Sequence, residues 1–360
     1  MEDAISLGVG EPDYTTPWHV REAAIYSLEK GLTMYTSNSG MIELRREIAA
    51  YLKESYGLDY DPESEILVTV GVSEALDLAA RAIIDPGDEV VMPDPCYVSY
   101  PACISLAGGV PVRVVTGEKD RFEIDASGIE RCLTPRSRAV LLGYPANPTG
   151  AVMPAEKLAE IAKLAERRDL LVISDEIYSR LVYGSSHTCV ASLPGMRERT
   201  ILLGGFSKAY AMTGWRIGYA AAPQEIIAAM TKIHQYTIMC APTMSQVAAI
   251  EALRSGAEDV RAMVEDYNRR RLVMVAGLEE AGLSCFEPKG AFYAFPCVKS
   301  AGMTSEEFAE KLLVEEKVAV VPGTAFGPSG EGYVRCCYAT SLSEIEEALA
   351  RIKRFVGRHR

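Results

Sequence analysis

Gly205-Phe-Ser-Lys-Ala-Tyr-Ala-Met-Thr-Gly-Trp-Arg216 sets one amine, Lys208, among small residues, eight positions before an arginine. The run before it, Thr200-Ile-Leu-Leu-Gly204, is short and apolar and ends in glycine, as is typical of a buried strand that reaches the edge of a sheet. The residues that follow, up to Tyr219, show no helical stripe, so we expect Lys208 to face a crevice at the end of a sheet. Most lysines are solvated surface charges, but this setting favours an imine-forming amine beside an anion site.

Short apolar runs alternate with longer helical patterns on both sides of this stretch. The predicted strands and helix starts are Ile66–Val70, a helix from Ser73, Glu89–Met92, Val110–Val115, Ala139–Leu142, a helix from Pro154, Leu170–Ser174, Ile201–Leu203 and Ile217–Ala220. This alternation predicts an α/β fold with a mostly parallel sheet between helices. A long helical pattern over Val260–Ala281 then leads to three further strand-like runs, Ala291–Phe295, Ala319–Val321 and Tyr333–Tyr338, which we expect to form a second, mixed sheet.

The composition excludes several classes of protein. With 360 residues, 48% of them apolar, and a net charge of -12, the chain fits an acidic globular protein of one large and one smaller domain, poorly suited to nucleic acid. Nine scattered cysteines without a CxxC pair are predicted to be reduced thiols, and the four histidines lack the spacing of a metal site. No apolar run approaches the length of a membrane span, so we expect no membrane partner and a cytoplasmic location.

Three other loops follow predicted strands, at the edge where open parallel sheets bind their ligands. After Ile66–Val70, Gly71 opens a helix whose free amides favour an anion, although an ordinary turn with Ser73 as N-cap is an equal alternative. Asn147 is held between two prolines as a possible donor, in a pattern that is also typical of a plain turn. Asp175 ends an apolar strand and, unless it is a solvated loop acid, would need a cationic partner.

These loops together supply what pyridoxal phosphate needs. The cofactor requires a lysine for an imine, a carboxylate for the ring nitrogen, donors for the ring oxygen, an aromatic face and an anion cradle. Asp175 would keep the ring nitrogen protonated, while Arg216 and the amides after Gly71 would neutralise the phosphate. Tyr97 is the candidate to stack on the ring, with packing in the core as an equal alternative.

Motifs that carry a family resemblance run nearly from end to end of the chain. They are Gly8-Val-Gly-Glu-Pro-Asp-Tyr14, Tyr35-Thr-Ser-Asn-Ser-Gly-Met-Ile-Glu-Leu-Arg45, Asn147-Pro-Thr-Gly150, Asp175-Glu-Ile-Tyr178 and Ser207-Lys208 with Arg216. In this order the chain resembles fold type I pyridoxal-phosphate enzymes, specifically class I aminotransferases of the bacterial and archaeal aspartate/aromatic type. The resemblance implies a sheet of the seven-stranded type in a large cofactor-binding domain over 26–264, and a smaller α+β domain made of 1–25 and 265–360.

The resemblance also implies a role for each matched residue. Lys208 forms the imine with pyridoxal 5'-phosphate and moves the substrate proton, while Asp175 pairs with the ring nitrogen. The other implied contacts to the cofactor are Asn147 and Tyr178 on the phenolic oxygen, Tyr97 on the ring face, and Val72, Ser73 and Arg216 on the phosphate.

Substrate and partner contacts follow from the same resemblance. Arg335, which would otherwise be interpreted as a charge on an edge strand, grips the substrate α-carboxylate with help from the Gly10 amide and from Asn147. Tyr35 would reach the phosphate of a neighbouring subunit, so the resemblance implies a homodimer. The X-Pro bonds at Asp94-Pro95 and Asn147-Pro148 are expected to be cis by analogy.

The implied reaction is transfer of the amino group of an L-amino acid to a 2-oxo acid with ping-pong kinetics. Two alternatives stay open: a carbon-sulfur β-lyase on the same scaffold, and a non-catalytic regulatory domain that binds the cofactor. Gly205 stands where the family often has a phosphate-binding serine, which Ser207 could replace. The donor also stays open among aspartate, aromatic, alanine-like and N-acyl-diaminopimelate substrates, with residues 14–16 and 234–239 expected to decide it.

Overall fold

A computed structural model describes residues 3–359 of the chain, and residues 1–2 and 360 of the predicted small domain lie outside the described residues. The strands, numbered in chain order, are β1 (Ile5–Ser6), β2 (Ile66–Thr69), β3 (Glu89–Asp94), β4 (Val110–Val115), β5 (Ser137–Leu142), β6 (Leu171–Asp175), β7 (Thr200–Gly205), β8 (Gly218–Ala221), β9 (Tyr293–Ala294), β10 (Val318–Ala319), β11 (Val321–Pro322) and β12 (Val334–Cys337). The α-helices are α1 (Trp18–Glu29), α2 (Ile42–Tyr56), α3 (Gly71–Ile83), α4 (Ser99–Leu106), α5 (Ala126–Cys132), α6 (Ala155–Arg167), α7 (Gln224–Thr237), α8 (Thr243–Ser255), α9 (Ala257–Glu280), α10 (Ser305–Glu316) and α11 (Leu342–His359).

Strands β2 to β8 form one sheet in the order β2-β8-β7-β6-β5-β3-β4. Neighbouring strands are parallel except where β8 pairs with β2 and β7, so the predicted mostly parallel, seven-stranded sheet is confirmed. The inner strands are apolar on both faces because helices cover both. In β7, for example, Ile201 and Leu203 pack with residues of α3 and α7, whereas Leu202 between them packs with residues of α2 and α8.

The second region departs from the prediction of one mixed sheet. Strands β11, β12 and β9 form an antiparallel three-stranded sheet, while β10 pairs separately and in parallel with β1. The predicted strand Ala319–Val321 is therefore two short strands, because Ala319 pairs with the amino-terminal Ser6 and Val321 pairs with Arg335. The consequence for function is that β12 lies beside the amino-terminal segment, where the Cys337 amide donates to Leu7 O at 2.7 Å.

The change from one core to the other lies within α9. Val260 packs in the core of the large sheet, whereas Met263 and Tyr267 pack in the core of the second region. We therefore propose that the boundary between the two domains lies near residue 264, as predicted. Val20 in α1 packs with the large sheet, which favours a first boundary before α1 rather than at residue 25. Within the described residues, every helix is too short or too polar to span a bilayer.

Candidate active site

A cavity of about 620 Å³ opens where β2, β3, β5, β6 and β7 end and where β12 meets the amino-terminal segment. The predicted site residues that line it are Gly10, Val72, Ser73, Tyr97, Asn147, Asp175, Tyr178, Lys208, Arg216 and Arg335. Tyr35 is the predicted residue that does not line it, and its side chain is 77% exposed on the loop between α1 and α2. Parallel topology brings these residues together because the carboxyl ends of the strands share one edge of the sheet.

Lys208 lies in the turn after β7 and is mostly shielded from solvent. Its Nζ atom donates to Gly10 O at 2.5 Å and lies 5.8 Å from the centre of the Phe292 ring. Burial lowers the pKa of this amine from 10.5 to about 8. Within the described part of the chain, no carboxylate lies within ion-pair distance of Lys208, so the amine is free to react with or contact a ligand.

Asp175 ends β6 and is a buried carboxylate. Its Oδ2 accepts from the Tyr100 hydroxyl at 2.9 Å and its Oδ1 accepts from the Ile177 amide at 3.1 Å. Burial raises the pKa of Asp175 from 3.8 to about 6, against the lowering effect of those hydrogen bonds. The alternative of a solvated loop acid is wrong, since the side chain is only 6% exposed.

Apart from Asp175, every buried carboxylate of residues 3–359 has a basic side chain beside it. Glu89, Asp94, Glu123, Glu176 and Glu316 each have an arginine, lysine or histidine nitrogen within ion-pair distance. Asp175 has none in this range, although its neighbour Glu176 is paired with His187 and accepts from Ser174 Oγ at 2.8 Å. A buried carboxylate that lacks a cation in its own chain is suited to bind one on a ligand.

The predicted anion cradle lies at the start of α3. This helix begins at Gly71 rather than at the predicted Ser73, and Val70 is its N-cap without a side-chain capping bond, so the alternative of Ser73 as N-cap is wrong. The Arg216 guanidinium packs against Gly71, where a Cβ would lie 2.5 Å from Arg216 Nη2. Gly71 and Arg216 both have positive φ, 75° and 50°, and such strain in a non-glycine residue is typical of functional sites.

Gly205 has no side chain, and the Val72 side chain occupies the space beside it. A Cβ on Gly205 would lie 2.7 Å from Val72 Cγ2, so the serine that the family often has there would not fit without movement of Val72. Ser207 lines the cavity two residues later and is mostly buried, which is compatible with its predicted replacement of that serine.

Arg335 on β12 is a buried guanidinium held by neutral groups. It donates from Nη1 to Asn147 Oδ1 at 2.9 Å and from Nη2 to Gly8 O at 2.7 Å, and it lies between the Tyr293 and Phe326 rings at 4.4 and 4.9 Å. Its buried Nε atom has no hydrogen-bond partner among the described residues. This arrangement leaves a positive charge and a donor for an incoming carboxylate.

Four tyrosines complete the cavity. The Tyr178 and Tyr293 hydroxyls are 2.7 Å apart, and the half-buried Tyr97 ring meets the Tyr100 ring edge to face at 5.5 Å. Sequence reasoning assigned no role to Tyr100 or Tyr293, because each is a buried aromatic residue far along the chain from its partner. The two predicted cis bonds are confirmed, and Tyr144-Pro145 is cis as well.

The segments expected to decide the donor lie elsewhere in this chain. Tyr14 and Thr15 line a different cavity, and His234 is fully buried in α7, where its Nδ1 pairs with Glu74 Oε1 at 2.7 Å. The side chains that line the cavity outside the predicted set include Val9, Glu11, Val321, Ala325 and Phe326.

Comparisons with known proteins bear on this site. The family model for aminotransferases of class I and II matches residues 2–352. A Bacillus subtilis protein provisionally named an aminotransferase is 56% identical over 99% of this chain and 92% of its own length. An aspartate aminotransferase of Pyrococcus abyssi is 46% identical over 98% of this chain and 92% of its own length. The crystal structure of an aromatic aminotransferase from Pyrococcus horikoshii superposes with a TM-score of 0.98 at 45% identity, covering 99% of this chain and 97% of that one.

Proposed function

The chain belongs to the class I and II aminotransferases, which use pyridoxal phosphate, and we propose that Asp175, Lys208 and Arg335 divide the work of amino transfer in its cavity. It is close to archaeal and bacterial aspartate and aromatic aminotransferases, and its substrates are amino acids and 2-oxo acids. The observation that carries the assignment of residues is the buried carboxylate of Asp175, which has no cation within ion-pair distance among residues 3–359.

The residues present fit the cofactor. The protonated ring nitrogen would be the missing cation of Asp175, and Tyr100 would hold that carboxylate in place through its 2.9 Å hydrogen bond. The phosphate would lie at the amides of Val72 and Ser73 and at the guanidinium of Arg216, where the helix terminus favours an anion. When bound, pyridoxal phosphate supplies an electron sink for the pair left when the α C–H bond of the substrate breaks.

The remaining cofactor contacts are assigned to neutral side chains. Asn147 and Tyr178 would donate to the phenolic oxygen, and Tyr97 would cover one face of the ring. All three line the cavity, and their side chains are buried or half-buried. Neutral donors suit this oxygen because they stabilise its negative charge without a competing cation.

We assign to Lys208 Nζ the removal and return of the α proton of the substrate. With a pKa of about 8, roughly a tenth of the amine is neutral at pH 7, so it accepts a proton readily and returns it as an acid. The Gly10 carbonyl, 2.5 Å away, would hold the amine near the cavity floor between the two transfers.

We assign to Arg335, with the Gly10 amide beside it, the binding of the α-carboxylate of both substrates. The Asn147 and Gly8 oxygens and the two flanking rings fix the plane of the guanidinium, which would orient the α hydrogen for removal. Because amino acid and 2-oxo acid would use the same arginine in turn, one must leave before the other binds. We therefore expect ping-pong kinetics.

We propose a homodimer for the active unit. Met34, Tyr35 and Tyr236 are 82%, 77% and 83% exposed, and Asn38, near Tyr35, bonds to Gln235 beside Tyr236 at 3.1 Å. An exposed cluster of large apolar and aromatic side chains is typical of a protein interface. Tyr35 would cross this interface to the phosphate of the partner's site.

The cytoplasmic location also stays a proposal.

A half-reaction experiment tests the assignment. The purified protein, loaded with pyridoxal phosphate, is mixed with single amino acids while the visible band of the bound cofactor is followed. We expect donors to remove the band and 2-oxo acids to restore it, and Lys208→Ala to lose both responses. Normal turnover in that variant would refute the assignment, and pyruvate formation without any 2-oxo acid would favour the β-lyase alternative.

A further inference from the structure

We propose that Tyr293 is a positioning residue that donates its hydrogen bond to Tyr178, so that the Tyr178 hydroxyl keeps its own proton for the cavity. The inference rests on the proposed function, since Tyr178 has its role there as a donor to the phenolic oxygen of the cofactor. It adds a residue on β9 to the machinery, 115 positions along the chain from Tyr178.

The hydrogen bond between the Tyr178 and Tyr293 hydroxyls uses only one of their two protons. The two oxygens are 2.7 Å apart, and within residues 3–359 neither hydroxyl has a second hydrogen-bond partner. Two phenols carry two protons, and the bond between them uses one. If Tyr178 donated to Tyr293, it would have no proton for a ligand; if Tyr293 donates, the Tyr178 proton is free to point into the cavity.

Arg335 decides the direction of the bond. Burial raises the pKa of both tyrosines, so both keep their protons near neutral pH. The Arg335 guanidinium lowers the pKa of both tyrosines against that effect, but it lies over the Tyr293 ring, 4.4 Å from its centre. The cation over the Tyr178 ring is Lys208, at the longer distance of 6.0 Å. A nearby cation makes a phenol a stronger donor, so Tyr293 is the better donor of the pair.

Tyr293 also connects the carboxylate side of the cavity to the cofactor side. A Cβ on Gly10 would lie 2.6 Å from the Tyr293 hydroxyl, so glycine is required for this tyrosine to stand between the amino-terminal segment and Tyr178. The titratable and charged groups that face the pair are Arg335 and Cys337 on β12, Lys208 after β7 and Tyr97 after β3. Burial raises the pKa of Cys337 to about 11, so its thiol is neutral.

The test is a pH titration of the visible band of the loaded enzyme without substrate. A donor on the phenolic oxygen lowers the pKa of this absorbance change, so Tyr178→Phe should raise it by about one pH unit and Tyr293→Phe by about half a unit. In the double variant, Tyr293→Phe should add nothing to Tyr178→Phe. Tyr338→Phe is the matched control, because Tyr338 is fully buried, donates to Ala291 O at 3.3 Å and does not line the cavity.

The outcomes separate this inference from the proposed function. If Tyr178→Phe leaves the titration unchanged, the role of Tyr178 in the proposed function fails. If Tyr178→Phe shifts the titration as expected, three results would overturn only the role of Tyr293. These are no shift in Tyr293→Phe, a downward shift in Tyr293→Phe, or a further shift when Tyr293→Phe is added to Tyr178→Phe. An equal shift in Tyr338→Phe would also overturn it, because any lost buried hydroxyl would then suffice.

A second readout separates the hydroxyl from the ring. Tyr293→Phe keeps the ring beneath Arg335, so the KM for the amino acid should stay within about twofold. Tyr293→Leu removes the ring and should raise that KM several-fold. Equal increases in KM for both substitutions would contradict the separate roles, and Tyr293→Phe alone decides the spectral test if the leucine variant does not fold.

Discussion

Asp175→Asn should make the cofactor-free protein more stable at pH 8 while it weakens the binding of pyridoxal phosphate. Burial raises the pKa of this carboxyl from 3.8 in an unfolded chain to about 6 in the native state. A raised native pKa contributes stability that is fully present below pH 3.8 and lost as the pH rises through about 6. Roughly two pKa units correspond to about 3 kcal/mol of cost to the native state at pH 8.

The asparagine keeps most of the local hydrogen bonds. Its oxygen can accept from the Ile177 amide, and the Tyr100 hydroxyl can turn to accept from its nitrogen. Even if one neutral bond is lost, at about 1 kcal/mol, a net gain of roughly 2 kcal/mol remains at pH 8. At pH 5 the cost of the charge is about half as large, so the advantage of the variant should shrink.

The assay is urea unfolding of both cofactor-free proteins at pH 5 and pH 8. The matched control is Asp94→Asn, because Asp94 is just as buried but pairs with Arg113 at 2.5 Å. Loss of that paired charge should destabilise the protein, opposite to the change at Asp175. The reasoning is refuted if Asp175→Asn lowers the unfolding free energy at pH 8, or if its advantage is the same at both pH values.

Three further predictions follow from the same cavity. Lys208→Met should stabilise the cofactor-free protein by at most about 3 kcal/mol at pH 7 to 8, because the native pKa of about 8 lies below the unfolded 10.5. Urea unfolding should show this gain decreasing as the pH rises from about 8 to 10.5. Gly71→Ala should weaken cofactor binding by roughly tenfold or more, since the new Cβ meets Arg216 and strains a residue with φ of 75°; a titration of the visible band that matches the unsubstituted protein would contradict this. Aspartate should be a poorer donor than aromatic or alanine-like amino acids by at least about tenfold in kcat/KM, because the described cations that line the cavity, Lys208, Arg216 and Arg335, all have other assigned roles; faster turnover of aspartate in steady-state assays would show this to be wrong.

The part of the site that could be predicted from sequence consists of residues that follow strands directly. Lys208, Asp175 and Gly71 each stand at or just after a strand end, where parallel topology gives them one shared edge. Tyr100 could not be predicted, because its partner Asp175 is 75 positions away and the bond depends on the packing of α4 against the sheet. The separation of β10 from β11 could not be predicted either, because it depends on the pairing of β10 with an amino-terminal strand of only two residues.

Charge pairing explains why folding and ligand binding should be coupled in this protein. Asp94 and Glu123 are buried beside Arg113 and Lys157 of their own chain, so their charges are neutralised on folding alone. Among residues 3–359, the buried Asp175 has no cation and the buried Arg335 has no carboxylate within ion-pair distance. These two groups should therefore lower the stability of the empty cavity until ligands bring the opposite charges. The two charges therefore predict what the cavity binds: a cation at the end of β6 and an anion at β12. A ligand that supplies both should raise the unfolding free energy in proportion to the logarithm of its concentration once it exceeds its Kd.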